Sequence, residues 1–110
     1  MSGTTNGIEA DNFGTGDLTI TATDADDGTG LSGGMFGISA VNRAGGALTI
    51  DAQTVTGAEN DGILASNTQI TSTALSIDVT GDVSGGNRGI YAFNQGSGGL
   101  TVTAADDTQI

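Results

Sequence analysis

Glu9 and Asp11, with one residue between them, are the chain's nearest approach to a catalytic carboxylate pair. Such a pair can divide acid and base roles in glycoside cleavage, provided its surroundings push the two pKa values apart. The chain contains no His and no Cys. The commonest general base, the commonest metal-binding imidazole and every thiolate ligand are therefore missing. Oxygen donors remain. Thr23 to Gly30 reads TDADDGTG, gathering Asp24, Asp26 and Asp27, and Asp106 and Asp107 lie close to the other end. Hard carboxylate oxygens suit calcium, and Asp24, Asp26 and Asp27 are its candidate ligands. The run departs from the D-x-D-x-D-G calcium loop, because Gly28 stands where the third ligand belongs. Nor does the chain repeat the G-G-x-G-x-D nonapeptide of calcium-binding β-rolls. A solvated acidic loop explains the same residues without a ligand.

The wider composition narrows the function classes. Thirteen Asp and Glu stand against two Arg, giving a net charge of −11 over 110 residues. A polyanion of this kind is repelled by nucleic-acid phosphates and by anionic membrane surfaces, and nucleic acid is not expected as a partner. The chain has no run of about 18 apolar residues, so direct membrane insertion of this segment is not expected. The Met-Ser-Gly start has no charged or apolar signal region. Pro is absent and Gly numbers 20. Abundant Gly, Thr, Ser and Asn with β-branched aliphatics suit short strands joined by close turns.

A repeat supplies the elements that must position these residues. The hexad G-I-x-A-x-N begins at Gly7, Gly37, Gly62 and Gly89, at spacings of 30, 25 and 27 residues. A second block, L-[TS]-[IV]-x-[AV], begins at Leu18, Leu48, Leu75 and Leu100. A third, [LV]-[ST]-G, appears at Leu31, Val55 and Val83. Each block alternates apolar with polar residues, the pattern of a strand with one buried face. A lone strand cannot bury that face, whereas equivalent strands stacked from coil to coil can. The expected fold is all-β: a right-handed parallel β-helix, or β-solenoid, with three short strands per coil and about four coils. As a single domain over 1–110, its coils run approximately 6–33, 34–57, 58–85 and 86–110, rising about 4.8 Å each.

In that register the inward columns are Ile8/Ile38/Ile63/Ile90, Ala10/Ala40/Ala65/Ala92, Leu18/Leu48/Leu75/Leu100 and Ile20/Ile50/Ile77/Val102. Asn12, Asn42, Asn67 and Asn94 follow the first strand of each coil. They read as a structural ladder of amides that also caps the turns. The outward columns are Glu9/Ser39/Leu64/Tyr91 and Asp11/Val41/Ser66/Phe93, with Arg43 and Arg88 placed in turns away from Glu9 and Asp11. Leu64, Tyr91 and Phe93 form a contact patch for protein or carbohydrate on one face. Thr19/Thr49/Ser76/Thr101 and Thr21/Asp51/Asp78/Thr103 resemble the threonine ladders of ice-binding solenoids. Hydrated charge at Asp51 and Asp78 argues against that chemistry.

The pairing of G-I-x-A-x-N with L-T-I-x-A, as from Gly7 to Ala22, resembles the repeats of bacterial autotransporter and adhesin-type passenger domains. The resemblance runs from Asn6 to about Ala104. It implies a surface-displayed parallel β-helix, extracellular or on the bacterial cell surface, carried by an exported parent. The chain lacks the export signal and C-terminal barrel of that family and reads as a segment of a longer protein. The expected function is a non-enzymatic rod segment of such a passenger, partnered by a host-surface protein or glycan. The alternative is a subunit of an extracellular fibre that stacks end to end on itself. No cofactor is expected beyond the calcium considered above.

Overall fold

The computed structural model describes residues 2–3, 5–22 and 30–104. Their alternating sequence forms strands that pair only with equivalent strands of neighbouring coils, always in parallel. Strands are numbered along the chain. The short first sheet holds β1 (Ser2–Gly3), β4 (Leu31–Gly33), β7 (Val55–Gly57) and β10 (Val83–Gly85). The second holds β2 (Asn6–Asn12), β5 (Phe36–Asn42), β8 (Asp61–Asn67) and β11 (Arg88–Asn94). The third holds β3 (Leu18–Ala22), β6 (Gly46–Ala52), β9 (Ser72–Val79) and β12 (Leu100–Ala104). No helix occurs among the described residues. The chain is a parallel β-solenoid with three strands in each coil.

The register matches the columns expected from the sequence. Ile8, Ile38, Ile63 and Ile90 are successive partners, as are Leu18, Leu48, Leu75 and Leu100. Ile20, Ile50, Ile77 and Val102 form the third large column. Ile38, Leu48, Ile50, Ile63, Leu75 and Ile77 are all fully buried. Each contributes roughly 1.5–3 kcal/mol by leaving water. The same columns open at the ends, where Leu100 and Val102 remain 49% and 44% exposed.

The first sheet has one strand more than the repeat count implied. Ser2 and Gly3 pair with Ser32 and Gly33, so this dipeptide occupies the register of the Ser-Gly of the Leu-Ser-Gly block. The corner between the first and second sheets has no room for a side chain. A Cβ on Gly37 would sit 2.6 Å from the Gly62 carbonyl oxygen and press on the Val55 side chain. Another corner needs glycine for its backbone: Gly46 has φ +79° at the entry to β6, a conformation that costs little without a Cβ.

The linker that was two residues longer in the third repeat, Thr68 to Ala74, leaves a visible mark. Gly46 pairs with Ser72 but Leu48 with Leu75, so β9 carries an additional residue between the two pairs. The bulge absorbs that residue without displacing the Leu and Ile columns beyond it.

Candidate functional site

The second sheet places its outward residues as the spacing predicts. Glu9 partners Ser39, Ser39 partners Leu64, and Leu64 partners Tyr91. Alongside run Asp11, Val41, Ser66 and Phe93. One face therefore grades from carboxylates at the first coil to aromatics at the last. Glu9 is exposed and accepts a 2.7 Å hydrogen bond from Asn6 Nδ2.

The two arginines require correction. Arg43 does lie in a turn, after β5, yet it is not remote from the acidic pair. Its Nη2 stands 3.5 Å from Asp11 Oδ1, and its guanidinium carbon lies 5.3 Å from the Phe13 ring centre. Asp11 is thereby an ion-pair partner. Both side chains are substantially exposed, so the pair contributes about 0–1 kcal/mol. Arg88 is not in a turn at all. It opens β11, partners Asp61 of β8, and donates from Nε and Nη2 to that carboxylate at 3.0 and 3.2 Å. Asp61 is buried, whereas the Arg88 side chain is half exposed.

Arg88 also lies over Tyr91, its guanidinium carbon 4.0 Å from the ring centre. The carboxylate below and the aromatic face beside it hold the guanidinium in one place. Sequence reasoning named Tyr91 but passed over Asp61. The signal was present, because Asp61 and Arg88 each stand two residues before the column isoleucine of adjacent coils. Tyr91 and Phe93 are 38% and 43% exposed, and Leu64 beside Tyr91 is half-buried. Aromatic faces next to a fixed guanidinium can take a sugar ring or an apolar side chain of a protein.

The asparagines end the four strands of the second sheet and stack in register. Asn12 Nδ2 donates to Asn42 Oδ1, and Asn67 Nδ2 to Asn94 Oδ1, both at 3.1 Å. Each amide also closes its own turn, donating to the carbonyl oxygens of Gly16, Gly45, Ala74 and Gly98 respectively. The middle rung is not made directly. Asn42 Nδ2 turns to Gly45, and Asn67 Oδ1 is buried without a partner. The break coincides with the longer Thr68–Ala74 linker, where Ser72 Oγ is likewise buried without a partner.

On the third sheet, Asp51 and Asp78 are direct neighbours on the outward face, flanked in register by Thr21 and Thr103. With Gln53 and Thr80 they line a shallow groove. Like charges directly opposite one another repel, a small cost that exposure to water reduces. Asp24, Asp26 and Asp27, the candidate calcium ligands, lie outside the described residues, as do Asp106 and Asp107. Among the described residues, no three acidic side chains converge on a metal-sized position. A scan of family models and searches of curated proteins and of solved structures gave no match to this chain.

Proposed function

We propose that the chain is a non-enzymatic structural solenoid, a rod segment of an autotransporter-like adhesin passenger displayed outside the cell. The observation that carries this reading is that the aliphatic columns keep their register through every described coil, the single bulge in β9 leaving them in place. Such stacking makes each coil rest only on its neighbours, and stiffness then follows from repetition. Three further features agree with it. The glycine corners fix the cross-section, the amide turns hold one edge, and the strongly acidic composition keeps neighbouring rods apart.

In this reading Glu9 and Asp11 are surface carboxylates and not an acid–base pair. Asp11 is engaged by Arg43, and Glu9 by Asn6. Leu64, Tyr91 and Phe93 supply the contact surface for a host-surface protein or glycan. The test combines two assays on the purified chain. Incubation with a panel of acidic and neutral polysaccharides should release no sugars. Limited proteolysis should leave the strands from β4 to β11 uncut. Sugar release that disappears in Glu9→Gln or Asp11→Asn would overturn the reading, as would ready cleavage inside β5, β6, β8 or β9.

A further inference from the structure

Three buried side-chain polar atoms among the described residues have no hydrogen-bond partner within the chain. Two of them, Asn67 Oδ1 and Ser72 Oγ, belong to the corner that joins β8 to β9, and both residues are fully buried. In the other coils the oxygen of the ladder asparagine is engaged. Asn12 Oδ1 accepts from the Gly14 N–H, Asn42 Oδ1 from Asn12 Nδ2, and Asn94 Oδ1 from Asn67 Nδ2 and the Gly96 N–H. The orphaned oxygen is matched by a donor. Asn12 Nδ2 and Asn67 Nδ2 each give one bond to their own turn and one to the next asparagine. Asn42 Nδ2 gives one to the Gly45 carbonyl and makes none to Asn67, its partner in register.

The difference between this corner and the others is length. One residue separates Gly46 from Leu48, whereas two separate their partners Ser72 and Leu75. Asn42 closes its turn on the carbonyl three residues on, but Asn67 closes on Ala74, seven residues on and inside the bulge. The Asn67 amide serves a wider turn, and its direct bond to Asn42 is lost.

We infer that an internal water completes this rung, accepting from Asn42 Nδ2, donating to Asn67 Oδ1 and sharing a hydrogen bond with Ser72 Oγ. The three groups select the ligand. An amide N–H only donates, an amide oxygen only accepts, and a hydroxyl does either. A metal or ammonium cation would face the Asn42 N–H, and an anion would face the Asn67 oxygen. Water donates and accepts, and about three partners is the ordinary number for a buried one. A bridging water is nearly as favourable as a direct bond, whereas an unpartnered buried oxygen is costly. The site lies between the second and third coils, inside the solenoid. It is the device by which linkers of unequal length share one amide ladder: the bulge takes up the residue and the water takes up the gap. The site is independent of what the rod displays.

Water-selective NOE spectroscopy on the full 15N-labelled chain tests the inference. Cross-peaks from water to the Asn42 Nδ2 hydrogens are expected, with the sign of a water that tumbles with the protein. Ser72→Ala removes the hydroxyl that would relay such a signal by hydrogen exchange but leaves Asn42 and Asn67, so the cross-peaks should persist. Circular dichroism establishes that the variant retains its strands. A high-resolution crystal structure of the unaltered chain should place a water oxygen about 3 Å from both Asn67 Oδ1 and Asn42 Nδ2. Absence of the cross-peaks from the unaltered chain would overturn the inference, as would their loss in a folded Ser72→Ala. So would a crystal structure in which Asn42 Nδ2 or Ser72 Oγ bonds Asn67 Oδ1 directly.

Discussion

Replacing Ile50 by alanine and comparing it with the same truncation at Val102 separates a stacked core from a merely apolar strand. Both residues belong to one column, but Ile50 is fully buried between Ile20 and Ile77, while Val102 is 44% exposed. Ile50→Ala removes three carbons. At about 0.8 kcal/mol for each, the lost transfer energy is about 2.4 kcal/mol. The neighbouring coils are fixed by backbone pairing on both sides and cannot collapse into the space, so a cavity term brings the total to about 2–5 kcal/mol. Val102→Ala removes two carbons from a site already open to water, leaves no closed cavity, and should cost below about 1 kcal/mol. Urea unfolding followed by circular dichroism measures both, with the midpoint moving and the slope nearly constant. Equal costs at the two positions would refute the reasoning, because position along the column, not residue type, sets the magnitude.

Other perturbations examine separate parts of the account. Gly37→Ala should destabilise by about 1–3 kcal/mol in the same unfolding assay, because the new methyl meets the Gly62 carbonyl and Val55 in a corner that cannot widen. Arg88→Met removes the partner of a buried carboxylate and should cost about 1–3 kcal/mol, whereas Arg43→Met breaks an exposed pair and should cost less than about 1 kcal/mol. Comparable losses for the two arginines would contradict the burial of Asp61. If the aromatic face is the contact surface, Tyr91→Ala with Phe93→Ala should abolish retention on immobilised host glycans or matrix proteins without moving the melting temperature by more than a few degrees. Retained binding would place the contact elsewhere.

Much of the fold was legible because a solenoid writes its packing into its spacing. Ile8, Ile38, Ile63 and Ile90 could be aligned by eye, and alignment of repeats is alignment in space when strands stack in register. β1 escaped notice because the copy at Met1 has methionine where the others have leucine or valine, and it precedes the first hexad instead of following a second block. The Asp61–Arg88 pair was missed for a different reason. Both residues sit at the mouth of a corner, outside the alternating core of the hexad, where the period-2 pattern no longer says which way a side chain turns. Arg43 was assigned correctly to a turn but wrongly to isolation, since its length carries the guanidinium back across one coil to Asp11. The amide ladder was legible as a column but not in its detail. Whether Asn42 bonds Asn67 or its own turn depends on the length of the next linker, which spacing alone did not weigh.

The central claim is that equivalent aliphatic side chains of successive coils lie directly on one another. Methyl-labelled NMR reads this without disturbing the chain. The account predicts strong cross-peaks from Ile38 to Ile63 and from Ile50 to Ile77, 25 and 27 residues apart in sequence. Their absence, or cross-peaks that instead join Ile38 to residues of an antiparallel neighbour, would contradict it.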